Sequence, residues 1–418
     1  MRGVCYVIKL FIFSILSLTT FAKLEITEEM KWNEYNHAAY QQLPPMGSER
    51  VTSQLEVKSK PIIRDQDGFG SCYLFATTSL LDQACIKSGA CDEDKQISVL
   101  DVLGKTQLQN GNSKEFLGLN GGNIPQVTRS LTNGKKVDLS FSTEECAPYQ
   151  QIENYNGQAN GDFDIEEHPQ LKAMNDIYYQ VKKETESDGF CRPCNEEFFK
   201  KYYPFSTDMI ENLSRAATKI ASINAFEEFL NEVLIPKKCR DEKEKVKIPG
   251  VKFHQEHISD KDKFRKKMIE LFENDQSAAI SSCTWQRYCE GEDDISDMSM
   301  CPQEKRKRSC GGHAYLLSGF RTICDSNGEC RNQYKVHNSW GTHFNVFNDN
   351  GWVEEGPLFD AYKDFSNQLV TYVESEPKKI VRSDFSRSGI YYCDGVRGAG
   401  DNVWANKMQR AGHRCYLR

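Results

Sequence analysis

The sequence predicts an α+β chain, and three observations carry that expectation. A helix pattern starts abruptly after Ser71 and runs through Tyr73, Leu74, Phe75, Ala76, Leu80, Leu81 and Ala84. Charged segments with helical spacing fill much of residues 169–234. In the last third, His313-Ala314-Tyr315-Leu316-Leu317-Ser318-Gly319-Phe320 and Tyr334-Lys335-Val336-His337-Asn338 alternate or run apolar as sheet strands do. At 418 residues and 39% hydrophobic content, the chain can bury one large core or two smaller ones.

Residues 1–22 read as a signal peptide: Arg2 and Lys9, then an apolar stretch Leu10–Leu18, then Thr20-Phe21-Ala22 as a small-residue cleavage site. The apolar run falls short of the ~20 residues that span a bilayer, so no integral membrane anchor is expected. Residues 23–50 are polar, with Pro44-Pro45 near their end, and form an N-terminal extension. The main domain is expected over 51–375, interrupted by a mainly helical insertion at about 143–258, and followed by a tail over 376–418.

Cysteine usage fits export to an extracellular, periplasmic or lysosomal compartment. Of 16 cysteines, Cys5 leaves with the signal and Cys72 is set apart by its position at a helix start. The remainder is even, as a disulfide framework requires. Cys324–Cys330, Cys85–Cys91 and Cys393–Cys415 are the expected local pairs, the last stapling the tail. Cys191-Arg192-Pro193-Cys194 reads as a structural disulfide in an exported chain. The formal charge of −7 argues against nucleic acid as a partner, and the basic run Lys305-Arg306-Lys307-Arg308 reads as a solvated loop.

The remaining elements follow in order. Gln96–Leu103 reads as a short helix capped by Ser98. Within the insertion, Pro169–Lys183, Glu196–Tyr203 and Asp208–Leu234 read as helices. The last carries a stripe of Ile210, Leu213, Ala217, Ile220, Ile223, Phe226 and Leu230 that faces a core. Lys261–Asn274 is an amphipathic helix and 276–282 a short strand. His254 and His257 have His-x-x-His spacing without further ligands and read as solvated loop residues, so no metal site is expected. Asn212-Leu213-Ser214 is an N-glycosylation acceptor if the host is eukaryotic.

The chemistry-bearing residues form four blocks. In Gln66 with Phe69-Gly70-Ser71-Cys72-Tyr73, Ser71 suits the helix cap. Cys72 then sits in the first turn, where the helix dipole favours a thiolate. This block resembles the C-G-[SA]-C-[WY] signature of papain and the cathepsins. Leu119-Asn120-Gly121-Gly122, Gly311-Gly312-His313-Ala314-Tyr315 and Asn338-Ser339-Trp340-Gly341 are similar to that family's glycine, histidine and asparagine blocks. Cys72 and His313 lie 241 residues apart, against about 130–150 in the simple family form, and the insertion accounts for the excess. The resemblance spans roughly 47–142 and 259–375.

The resemblance implies a two-subdomain papain-like fold, a helical half facing an antiparallel, barrel-like sheet half. It implies a cysteine peptidase acting without metal or cofactor, as a monomer, on protein or peptide substrates. Cys72 is the implied nucleophile, held as a thiolate by His313, with Asn338 orienting the imidazole and the Trp340 ring shielding that bond. Gln66 and the Cys72 N–H would hold the oxyanion, and Gly121 and Gly122 would pair with substrate backbone. Phe69 and Leu119 stand where the family has a bonded cysteine pair, which implies a packed Phe–Leu contact instead. The rival expectation is a papain-fold binding or adhesion module, or an acyl transferase. An extension too short for the family's usual inhibitory propeptide, Asp67 in place of a glycine, and the charged stretch Glu290–Arg308 keep it open.

Overall fold

The computed structural model describes residues 49–418 apart from 67–68, 108–120, 150–167, 189–190, 192–193, 225, 242–244, 290–301, 303–304, 348, 366–367, 378–390, 394–398, 401–407, 409–414 and 418. The expected signal peptide, nearly all of the N-terminal extension, Leu119 and Asp67 lie outside them. Strand β1 (Arg50–Glu56) leads through an extended segment into α1 (Cys72–Ser88). The cores of α1, α2 (Val99–Gln107) and α3 (Ile124–Thr132) form the first helical layer, followed by β2 (Val137–Phe141). Residues 169–234 supply α4 (Pro169–Asp188), α5 (Glu196–Lys200), α6 (Thr207–Thr218) and α7 (Phe226–Leu234). Then come β3 (Val246–His257), α8 (Lys261–Glu273), β4 (Ala278–Cys289), β5 (Arg306–Cys324) and β6 (Cys330–His337). The described chain continues through α9 (Gly341–Phe347), β7 (Trp352–Glu354), α10 (Glu355–Asp364) and β8 (Leu369–Glu374). The tail contributes β9 (Tyr391–Cys393), β10 (Ala399–Gly400) and β11 (Cys415–Leu417).

The main sheet is antiparallel, in the order β2-β3-β8-β4-β5-β6-β7, with β1 also paired to β5. The apolar run of β5 is explained by burial on both faces. Ala314 and Leu316 join a core shared with α1 and the insertion helices. Tyr315 and Leu317 join a second core with Phe264, Met268 and Leu271 of α8 and Leu358 and Tyr362 of α10. The sheet therefore separates two hydrophobic cores. Helix α1 is apolar around most of its circumference because helices cover one side and the sheet the other. Gly89, at φ 73°, closes it, and the Cys85–Cys91 disulfide bridges that turn. Among the described residues no helix is long and apolar enough to cross a membrane.

Several expectations need correction. The run 208–234 is not one helix: a 3₁₀ turn at Ile220–Ser222 and extended Ile223 split it into α6 and α7. The fold-back lets Ile220, Ile223, Phe226 and Leu230 reach one core that a straight rod could not cover. Val246–His257, within the stretch expected to be mainly helical, is strand β3 of the main sheet, paired with β2 and β8. His254 is thus a strand residue, stacked on Tyr372 with ring centroids 5.0 Å apart and its Nε2 3.1 Å from Glu374. Arg306, Lys307 and Arg308 are not loop residues either. They open β5 in register with Cys289, Tyr288 and Arg287. Asn212 is only 8% exposed within α6 and accepts from Arg215, so the glycosylation motif is not presented at the surface.

Disulfides Cys85–Cys91, Cys191–Cys194 and Cys324–Cys330 are present as expected. Cys146–Cys239 and Cys283–Cys310 add long-range links that spacing alone did not identify. In the tail, Cys393 and Cys415 are register partners on neighbouring strands.

Candidate active site

The segment before α1 reaches the sheet half through a short antiparallel pairing. Gln66 N–H donates to Ser339 O (2.7 Å), Gly341 N–H donates to Arg64 O (3.0 Å), and Asp65 bridges to Trp340. Gly341, at φ 66°, has no room for a Cβ, which would fall 2.7 Å from the Asp65 carboxylate. This pairing brings Gln66 beside the block that carries Asn338.

Beneath it lies a buried ion cluster. Arg64 donates to Asp82 of α1 (2.6 Å) and to Glu144 (3.4 Å), while Asp82 also accepts from the Ile97 N–H (2.8 Å). Burial raises the Asp82 and Glu144 carboxyls, and the Arg64 guanidinium opposes that rise. The cluster ties the approach segment to the helix that starts at Cys72.

His313 lies within β5, and Asn338 immediately follows β6, the neighbouring strand of the ladder. Their contact is direct: His313 Nε2 lies 2.7 Å from Asn338 Oδ1. A carboxamide oxygen can only accept, so Nε2 carries the proton and Nδ1 is the nitrogen that exchanges protons with a reactant. The Trp340 indole stacks on the His313 ring at 4.3 Å and 22°, covering that hydrogen bond. The Ser339 N–H also donates to Asn338 Oδ1 (2.8 Å), which pins the amide in this orientation.

Cys72 carries a free thiol. Its sulfur accepts from the Ala314 N–H, so the thiol lies against the strand position next to His313. The expected resting thiolate is not what this environment favours. Burial pushes the thiol up to about 11, and the Ala314, Tyr73 and Cys72 N–H groups offset only part of that cost. Desolvation outweighs the helix N-terminus here.

Ser71 does not cap α1 with its side chain. Its φ of −98° and ψ of 12° fall outside the extended geometry that capping needs, and its hydroxyl pairs with Tyr149 instead (3.1 Å). Gln66 is held from several directions: Nε2 donates to Phe69 O (2.6 Å), Oε1 accepts from the Ser339 hydroxyl, and the carbonyl accepts from Tyr149 (3.1 Å). A primary amide has two N–H bonds, so one remains to bind an oxyanion. The Cys72 N–H, at the first helical position, has no partner within the helix.

Gly121 and Gly122 lie close by. A Cβ on Gly122 would sit 2.3 Å from the Tyr73 ring, whereas Gly121, at φ 111°, faces open space. The structure thus gathers Gln66, Ser71, Cys72, His313, Asn338, Trp340 and Gly122 into one locality. Phe69 packs on Tyr149 and on His168, with centroids 6.0 and 5.6 Å away. The expected Phe69–Leu119 contact lies outside the described residues.

Sequence reasoning missed Tyr149 and Ser339 as parts of this arrangement. Ser339 lies within the Asn338–Gly341 block, where its neighbours draw the attention. Tyr149 stands alone after Pro148 in a non-periodic stretch, with no local signal to mark it.

No family model matches the sequence, and no curated protein matches it. Solved structures similar to it include digestive procathepsin L 3 of Tenebrio molitor larval midgut, at 12% identity over 84% of this chain and 79% of that one, with a TM-score of 0.35. Procathepsin B S9 from Trypanosoma congolense gives 14%, 82%, 89% and 0.36, and SERA5E from Plasmodium falciparum 13%, 75%, 88% and 0.33, in the same order.

Proposed function

We propose that this protein is an exported, papain-type cysteine peptidase that hydrolyses peptide bonds. The observation that carries the reading is the His313–Asn338 hydrogen bond of 2.7 Å beneath the Trp340 ring, with the Cys72 thiol on the neighbouring backbone position. The elevated thiol makes general-base attack the natural first step. Cys72 Sγ bonds to the substrate carbonyl carbon as its proton passes to His313 Nδ1. The oxyanion takes hydrogen bonds from Gln66 Nε2 and the Cys72 N–H. The C–N bond then breaks, His313 returns the proton to the leaving amine, and a thioester remains. Water attacks the thioester, its proton passes to His313, and the carboxylic acid leaves as the thiol is restored. The open face at Gly121 suits a backbone pairing with extended substrate.

Five disulfides among the described residues fit an oxidising compartment. The thiol's rise to about 11 favours a second reading, a papain-fold binding module or acyl transferase with little proteolysis. A thiol-directed peptide epoxide separates the two. A peptidase labels at Cys72 and cleaves a mixed fluorogenic peptide library, and Cys72→Ala abolishes both. Cleavage that survives Cys72→Ala, or a wild-type protein that neither labels nor cleaves, rules the peptidase out.

A further inference from the structure

We propose that Tyr149 is a positioning residue for the oxyanion donors, its hydroxyl fixing the spacing between Gln66 and the Ser71–Cys72 turn. This inference rests on the peptidase reading. Tyr149 is 4% exposed, and its ring packs edge-on against Phe75 (4.8 Å) and Phe69 (6.0 Å), so the phenol cannot swing away. A phenol has one proton. The Gln66 carbonyl can only accept, so that proton lies in the 3.1 Å contact to Gln66 O. The Ser71 hydroxyl then donates to the phenol oxygen, also at 3.1 Å.

The phenol oxygen thereby closes a ring through residues 66–71. One end of that ring carries the Gln66 amide, and the other leads directly into the Cys72 N–H. The remaining bonds on Gln66 differ in origin. Ser339 grips its N–H and its Oε1 from the sheet side, and Phe69 O accepts from Nε2 within the loop. Tyr149 supplies the tie from the helical side.

Its own segment is anchored for that purpose. The Tyr149 N–H donates to Glu144 Oε1 (2.6 Å), Ser98 Oγ donates to Ala147 O (2.6 Å), and Cys146 is bonded to Cys239. Shifting the phenol therefore means shifting a disulfide-linked, hydrogen-bonded stretch of the insertion.

Tyr149→Phe keeps the ring and deletes only the hydroxyl. On a mixed fluorogenic peptide library, kcat is expected to fall about tenfold with KM within about twofold. That is less than the ~10²–10³ lost when an oxyanion donor is removed outright. Affinity for a peptide aldehyde, whose hemithioacetal oxygen occupies the oxyanion position, falls by the same factor as kcat/KM. Alkylation of Cys72 by iodoacetamide, which forms no oxyanion, stays within about twofold of wild type. Adding Ser71→Ala to Tyr149→Phe costs no more than about another twofold, since both act through one ring.

Wild-type kcat in Tyr149→Phe overturns the inference, as does a fall in alkylation that matches the fall in kcat. A wild-type protein that neither cleaves the library nor takes up the aldehyde overturns the peptidase reading, and this inference with it.

Discussion

The half of the molecule that carries Cys72 and the half that carries His313 and Asn338 are held by different forces. His313 and Asn338 are placed largely by backbone: β5 and β6 pair around a register shift between Leu317 and Gly319, Leu316 lies opposite His337, and Asn338 follows β6 directly. In such a ladder a side chain's direction follows from its register, because a slip by one residue would turn every side chain to the other face. Cys72 and Gln66 are placed by side chains from scattered parts of the chain. The Tyr149 phenol and the Ser339 hydroxyl bond Gln66, the Arg64–Asp82 pair ties its segment to α1, and the Cys146–Cys239 bridge anchors the stretch before Tyr149. One half tolerates side-chain change so long as its ladder survives. The other depends on individual polar atoms in a buried setting, where an unmet partner costs more than a met one contributes.

The sharpest way to break this contrast is to cut a disulfide in each half. Cys146–Cys239 closes a separation of 93 residues and Cys283–Cys310 one of 27. From loop-closure entropy, replacing both cysteines by serine is expected to cost about 4–5 kcal/mol for the first pair and about 3–4 kcal/mol for the second. Urea denaturation of the two double variants measures the difference. Equal losses would show that the insertion is not held chiefly by its bridge.

Acid sensitivity tests the sheet half. Both ring nitrogens of His337 are buried, with no hydrogen-bond partner among the described residues. Burial, with Lys335 and Lys60 nearby and only Glu56 opposing, pushes this histidine down to about 4. An unfolded histidine binds its proton near pH 6.5, so between 6.5 and 4 the unfolded state holds more protons than the native one. Stability at pH 7 is untouched by this group, and by pH 4.5 it has removed about 2–3 kcal/mol. His337→Gln should lose correspondingly less stability than wild type between pH 7 and 4.5. Parallel curves for the two proteins would place the acid sensitivity elsewhere.

A further test concerns the hydrogen bond between His313 and Asn338. Asn338→Ala leaves the ladder intact but releases the His313 ring, and a misoriented base is expected to lower kcat about 10²-fold. Steady-state kinetics together with the melting temperature separate that loss from unfolding. A melting temperature that collapses along with kcat would mean that Asn338 serves the fold more than the imidazole.

The four blocks were legible because each is local: a turn into a helix, a glycine pair, a stretch inside a strand and a turn just past a strand end, whose residue types sit next to each other in sequence. The apolar run 313–320 announced a strand, and burial on both faces accounts for its lack of strict alternation. The same reasoning failed over 208–234, where a 3.6-residue stripe continues across a break that only packing imposes. It failed for β3 as well, because Val246–His257 becomes a strand by lying between β2 and β8, partners far away in the chain.

By itself the sequence determined the candidate residues and their order, since spacing and turn residues act over a few positions. Only the tertiary structure decided that Ser71 turns to Tyr149 rather than capping its helix. It also decided the burial of Cys72, which pushes the thiol up. Both outcomes depend on what excludes water around a buried group, and that is set by atoms distant along the chain. Desolvation is a property of the whole packed neighbourhood, whereas a motif specifies only its own few residues.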